Sequence, residues 1–117
     1  MVNAMQYYKE LYLSEALCEK KAKIIWRLAH NKIQLHLYLI VLAVRGENQL
    51  EFFDAAMFRQ KEFSPQKDEC RVIGIADSYE EAVGLVEQIT EDVLRKTGGV
   101  ELREYFLKQM QDNEMTE

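Results

Sequence analysis

Hydrophobic positions between residues 14 and 30 follow a helical period. On a 3.6-residue wheel they share one broad face, which is typical of an amphipathic helix. Ser14 precedes the run and is a plausible N-cap, because its hydroxyl can accept a hydrogen bond from a first-turn amide. We therefore predict a helix from about residue 14 to His30. Residues 1–13 lack a clear period and fit either a short helix or an extended lead-in.

The next stretch of the chain has the length and composition of strands. Ten of the twelve residues in 33–44, IQLHLYLIVLAV, are apolar, and many are β-branched or aromatic. A turn signal follows, and residues 50–58 then predict a second strand of a hairpin. Residues 70–76 predict a third strand. Gly74 inside it indicates a bulge or the close approach of another element.

Two helices are predicted in the last third of the chain. Ser78 and Glu81 fit a capping box, in which each side chain satisfies the other residue's backbone amide. The helix they open should run from about 79 to 97 and end at Gly98 through a left-handed cap. Residues 101–110 predict a short last helix.

These elements define an α+β fold with the order α-β-β-β-α-α. Short loops between successive strands favour a three-stranded antiparallel meander with the helices packed on one face. We expect residues 1–111 to form a single domain and residues 112–117 to be a disordered tail.

Strand alternation places two apolar sets on opposite faces of this sheet. If Val44 pairs with Leu50, the first set is almost purely aliphatic and belongs against the helices. The second set is also strongly apolar, although a sheet face that is open to water should be polar. We call this side the second sheet face. Its members are His36, Tyr38, Ile40, Leu42, Val44, Phe52, Asp54, Ala56 and Phe58.

Something must therefore cover the second sheet face. One candidate is the last helix, folded under the sheet. The other is a second copy of the chain, because a twofold homodimer is the commonest way to bury a self-complementary patch. We favour the homodimer, and predict an interface formed by His36, Tyr38, Ile40, Leu42, Phe52 and Phe58.

Composition and charge exclude several classes of function. The 117 residues carry a net charge of −5, so the domain has no overall basic field to attract nucleic acid or an anionic membrane. We interpret the cluster Lys20, Lys23, Arg27 and Lys32 beside Trp26 as a solvated helix face. The chain starts without a signal-peptide pattern, and its longest apolar run is far shorter than a membrane helix. We expect a cytoplasmic protein.

Candidate chemistry is sparse. We expect Cys18 and Cys70 to be reduced, buried thiols, and His30 to lie at the surface where helix one ends. The main alternative to a non-catalytic module is a small enzyme or ligand-binding domain. Its pocket would be lined by His36, Tyr38, Asp54 and Phe58, with the first three as an acid–base site. No metal-ligand spacing and no nucleotide-binding motif is found, so we expect no cofactor.

The chain resembles a family of small uncharacterised proteins from Firmicutes, especially Clostridia. The resemblance covers about residues 8–107, and its most specific part is VIGIADSYEEAV followed by the KTGG segment. It implies a bacterial, cytoplasmic origin. It carries over no activity, cofactor or functional residue.

Overall fold

A four-stranded mixed sheet with helices on both faces is the framework of the chain. The computed structural model describes residues 6–30, 37–43, 49–56 and 71–115. The strands are β1 (Gln6–Leu13), β2 (Tyr38–Leu42), β3 (Leu50–Asp54) and β4 (Arg71–Ala76). A 3-10 segment (Glu15–Lys20) leads into α1 (Lys21–Ala29), and the remaining helices are α2 (Tyr79–Thr97) and α3 (Leu102–Met115).

The α+β class is confirmed, but the predicted three-stranded meander is wrong. The strand order is β1-β4-β2-β3, with β1 parallel to β4 and the other pairs antiparallel. The strand over 71–76 therefore pairs with β2 and not with β3. The connection over 55–70 is long enough to carry the chain past the hairpin, so the short-loop argument for a meander does not apply. The fourth strand comes from residues 6–13, which adopt the extended alternative.

The β2–β3 register differs from the predicted one by two residues, and the predicted faces survive. Leu42 is opposite Leu50, where the sequence placed Val44. A shift of two residues returns each side chain to the same face, because the side-chain period of a strand is two. Tyr38 and Phe52 therefore still lie on the second sheet face.

Gly74 lies where three strands meet, as its position inside a strand predicted. A Cβ at Gly74 would stand 3.1 Å from the Tyr12 carbonyl oxygen and 3.3 Å from Ile40 Cδ1. The β2–β4 register also shifts beside it, between Ile40 and Val41. This irregularity lets Ile73 and Ala76 face one core while Val72 and Ile75 face the other.

Helices cover both faces of the sheet, so the prediction of helices on one face is wrong. The first face packs on the 3-10 segment and α1 through Leu17, Ile24 and Leu28. The second sheet face packs on α2 and α3. Its buried core consists of Tyr8, Ile40, Leu42, Ile73, Ala76, Ala82, Leu85, Ile89, Val93, Leu102, Phe106 and Met110.

Helix one begins where predicted but starts as a 3-10 helix. Cys18 is exposed there, contrary to the predicted buried thiol. A 3-10 turn has three residues, so the face expected on a 3.6-residue wheel drifts away from the core. Ser14 is buried and precedes the segment, but its hydroxyl accepts from Asp77 N at 3.2 Å and makes no cap bond within the helix. Cys70 lies outside the described residues.

The bounds of α2 agree with the prediction. Ser78 Oγ accepts from Glu81 N at 3.1 Å, and Gly98 ends the helix with φ of 79°. The last helix runs from Leu102 to Met115, so the predicted disordered tail from residue 112 begins inside it. No helix in the described ranges is both long and apolar enough to cross a membrane.

Candidate interaction site

The predicted interface residues divide into three groups. Ile40 and Leu42 are 0% and 3% exposed, because α2 and α3 of the same chain cover them. Tyr38 and Phe52 are half-buried. His36 and Phe58 lie outside the described residues. Helices of the same chain, including the last helix, therefore cover most of the second sheet face, which was the alternative to the favoured second copy. Among its described residues, the accessible part is the margin near β3.

Three aromatic rings meet at this margin. Phe52 contacts Tyr79 at 5.3 Å between ring centroids, and Tyr38 contacts Phe52 at 6.4 Å and Tyr79 at 6.2 Å. All three pairs are edge-to-face, which is a favourable geometry for aromatic rings. We call Tyr38, Phe52 and Tyr79 the aromatic rim.

Each residue of the aromatic rim is fixed by a different element. Tyr38 on β2 and Phe52 on β3 are diagonal neighbours on the same sheet face, because Tyr38 is opposite Asp54 and Ile40 is opposite Phe52. Tyr79 comes from the first residue of α2, held there by the Ser78 cap. It is 59% exposed, which is unusually open for a ring that contacts two others.

The sequence predicted two members of the rim and missed Tyr79. The strand pattern alone placed Tyr38 and Phe52 on one face. Tyr79 stands at the edge of the buried stripe of α2, and Val83, one turn further along, is 36% exposed beside it on the wheel. Its contact with Phe52 depends on where α2 crosses the sheet, and that follows from the strand order.

The predicted acid–base residues are only partly brought together. Tyr38 and Asp54 share a sheet face, as predicted, and lie directly opposite each other across β2 and β3 because the register differs by two residues from the predicted one. The Asp54 carboxylate accepts a hydrogen bond from Ala56 N at 2.9 Å, which stabilises the turn after β3. The Tyr38 ring packs in the aromatic rim. Both side chains therefore have structural roles.

A group of polar contacts joins α3 to the end of the β2–β3 hairpin. Gln49 Oε1 accepts from Arg103 N at 2.9 Å, and Arg103 Nη1 donates to the Ala43 carbonyl at 3.0 Å. An open depression of about 440 Å³ lies beside it, lined by Gln49, Glu101, Arg103, Glu104, Leu107 and Lys108. No pattern along the chain predicted this contact, which satisfies a backbone amide in the first turn of α3.

Tyr12 links β1 to α2. Its hydroxyl donates to Asp92 Oδ2 at 2.7 Å. Burial, followed by this hydrogen bond and the nearby carboxylate charge, raises the pKa of Tyr12 above its ordinary value. Tyr12 therefore keeps its proton and acts as a donor that holds two elements together.

The basic helix face carries one exposed aromatic pair. Trp26 is 53% exposed and stacks on His30 with 4.1 Å between ring centroids. His30 follows the last residue of α1, and its Nδ1 lies 2.8 Å from the Trp26 carbonyl oxygen, as expected for a surface histidine at a helix end. This pair lies on the helix that covers the first face, so it belongs to a different surface from the aromatic rim.

Within the part of the chain that the structure describes, no three His, Cys, Asp or Glu side chains lie together as a metal site would need. Among the described residues, Tyr79 of the aromatic rim is the large hydrophobic side chain with the highest exposed fraction, 59%. Comparisons of the chain with models of protein families, with curated proteins and with solved structures found no match.

Proposed function

We propose that this chain is a non-catalytic homodimeric interaction module of a bacterial cytoplasm, and that its copies meet through the aromatic rim. The observation that supports this most directly is a three-ring cluster at the sheet margin in which Tyr79 is 59% exposed and Tyr38 and Phe52 are half-buried. Aromatic side chains are enriched among the residues that dominate binding energy at protein interfaces.

The contact is narrower than the one that the sequence predicted. Ile40 and Leu42 are buried beneath α2 and α3, so among the described residues of this face a partner can reach the rim and the adjoining edge of the sheet. A contact of this kind belongs to the small end of the range of specific interfaces. We therefore expect a reversible dimer whose population depends on protein concentration.

A second copy suits this surface because of its composition. The net charge of −5 makes two copies repel one another over most of their surfaces, so they should meet where the contact is apolar. A twofold axis beside the rim would bring identical aromatic clusters together. Added salt should screen the repulsion and increase the population of the dimer.

The contacts of Tyr38 and Asp54 favour a non-catalytic role. The Tyr38 ring packs on two aromatic neighbours, and the Asp54 carboxylate stabilises a turn. A general acid or base must instead be able to reach a substrate proton. These structural roles make the alternative enzyme or ligand pocket around His36, Tyr38 and Asp54 the weaker proposal.

The test is the mass in solution as a function of concentration. Sedimentation equilibrium or light scattering should show exchange between 13.8 kDa and twice that mass. Replacing Tyr79 with Gln should weaken the dimer by roughly tenfold or more, because truncation of a central aromatic residue typically costs over ~1 kcal/mol of binding. Helical content should stay the same, since Tyr79 is largely exposed.

A matched control is Trp26→Gln. Trp26 is similarly exposed, at 53%, but lies on the helix of the first face. It should leave the dissociation constant within about twofold, a change too small to mark an interface residue. A wild-type chain that is monomeric at all concentrations would refute the proposal, and so would equal effects of the two substitutions.

A further inference from the structure

The outer edge of β3 has backbone groups that point away from the sheet. Ala43 N donates to the Gln49 carbonyl at 3.1 Å, and Ala55 N donates to the Leu37 carbonyl at 2.8 Å. Hydrogen-bonded pairs alternate along an antiparallel ladder, so the odd-numbered residues of this strand direct their N–H and C=O groups toward β2. The N–H and C=O groups of Leu50, Phe52 and Asp54 therefore point outward.

This edge has no neighbouring strand in the described part of the chain. The sheet order ends at β3, and its pairing with β2 runs over five consecutive residues without a register shift. A regular, partly apolar edge strand is a template for another strand. The outward backbone groups lie directly beside the aromatic rim, which shares Phe52 with them.

Charge and the ends of the strand together favour one register for the pairing of β3 with a copy of itself. A pairing centred on Glu51 would place two carboxylates opposite each other, and one centred on Asp54 would do the same. A pairing centred on Phe53 would extend into Ala55 and Ala56, which have left the strand. A pairing centred on Phe52 uses all five strand residues and places no like charges opposite one another.

We infer that two copies pair β3 with β3 in antiparallel fashion, with Phe52 on the twofold axis. This inference rests on the proposed function and specifies its geometry. The two four-stranded sheets join into one eight-stranded sheet with the axis perpendicular to it. Phe52 meets Phe52 of the partner, and Leu50 is opposite Asp54 of the partner. These pairs carry the outward backbone groups, so each exchanges two hydrogen bonds.

The test introduces either a positive or a negative charge at position 50 and measures the dissociation constant of the dimer. Within its own chain Leu50 is opposite Leu42, so Leu50→Lys and Leu50→Glu lose the same apolar contact. Across the axis, lysine faces the partner's Asp54 carboxylate, whereas glutamate faces the same carboxylate as a like charge. Two symmetry-related pairs change, so Leu50→Glu should dimerise about tenfold more weakly than Leu50→Lys.

Two further variants identify the register. The double substitution Leu50→Glu with Asp54→Lys restores opposite charges and should return the dissociation constant to within about threefold of that of Leu50→Lys. Glu51→Lys is the control within the strand, because residue 51 is opposite Phe53 of the partner. Its effect on the dissociation constant should not depend on the sign of the charge at position 54. Circular dichroism of each variant confirms that the chain is folded.

The outcomes separate the register from the function. Dimers with equal dissociation constants for Leu50→Lys and Leu50→Glu, or no recovery in the double variant, would overturn the β3 pairing while the dimeric module stands. A wild-type chain that stays monomeric overturns both the β3 pairing and the dimeric module. The same result is expected if another part of the same chain covers the β3 edge. A tenfold difference that the Asp54 reversal cancels supports the inference.

Discussion

The two edges of the sheet differ in how they are protected against another strand. The β1 edge carries exposed charges at Lys9 and Glu10, and its pairing with β4 shifts register between Tyr7 and Tyr12. Charged side chains and bulges are the usual means by which proteins prevent edge-to-edge association. The β3 edge also carries two carboxylates, Glu51 and Asp54, but its ladder with β2 is regular. The β1 edge is therefore interrupted by an irregularity that β3 lacks, so the two edges differ chiefly in the regularity of their ladders.

The helices reinforce this difference. Phe106 of α3 packs edge-to-face on Tyr8 of β1 with 5.0 Å between ring centroids, and Tyr12 bonds to α2. Helix α2 lies mainly over β4 and β2. At the β3 margin, α2 contacts β3 through the ring pair of Tyr79 and Phe52. Strand β1 thus contributes two buried side chains, Tyr8 and Leu11, to the cores, whereas the side chains of β3 are half-buried or exposed.

The largest expected effect comes from removing one aromatic ring at each edge. Phe106 is 1% exposed and packs against β1, so Phe106→Ala should lower the free energy of unfolding by about 3–5 kcal/mol. Phe52→Ala should lower it by only about 1 kcal/mol in the monomer, because Phe52 is half-buried. Urea unfolding at low protein concentration measures both. Equal losses would contradict the difference between the edges.

Local signals made the two ends of α2 predictable. The Ser78 cap and the left-handed Gly98 lie at opposite ends of the helix, and each depends on residues within one turn of itself. Both occur as predicted. The faces of β2 and β3 were also predictable, because strand alternation does not depend on the neighbouring strand. These features needed no knowledge of distant parts of the chain.

Strand order was not predictable from these signals. The pairing of β4 with β1 and β2 is a long-range choice, and the irregular register of β1 removed the period that would have marked it as a strand. The helices' distribution over both faces follows from that order. Two of the three residues of the aromatic rim were therefore predicted: Tyr38 and Phe52 came from alternation, while Tyr79 joined them only through the topology.

An intermediate effect is expected from the same substitution at two glycines. Gly74→Ala places a Cβ 3.1 Å from the backbone oxygen of Tyr12, so β1 must move away from β4. We expect a loss of about 1–2 kcal/mol, since overpacking outweighs the reduced entropy of the unfolded chain. Gly84→Ala meets no atom within 4 Å on the exposed side of α2 and should instead stabilise the chain by up to ~1 kcal/mol. Thermal unfolding would reveal the opposite signs of the two effects. A stabilising Gly74→Ala would show that β1 and β4 are not closely packed at this position.

The smallest effect concerns the hydrogen bond that secures β1. Tyr12→Phe removes the donor to Asp92 and should lower the free energy of unfolding at neutral pH by about 1 kcal/mol. Arg95→Met removes an exposed ion pair with the same Asp92 and should lower the free energy of unfolding by less than ~0.5 kcal/mol. This outcome would show that the tyrosine and not the surface charge holds the strand.

The pH dependence of this difference identifies the tyrosine hydroxyl. The pKa of Tyr12 is raised in the folded chain by burial and by the bond to Asp92, whereas in the unfolded chain a tyrosine ionises near 10.0. The folded state therefore holds the proton more tightly, and its advantage is complete below pH 10 and declines as the pH rises above that value. The stability difference between wild type and Tyr12→Phe should shrink in the same window, because the variant lacks the titrating group. Tyr8, whose pKa is also raised, is present in both chains and cancels in the comparison. A difference that stays constant from pH 8 to beyond pH 10 would mean that the hydroxyl does not hold β1 to α2 in solution.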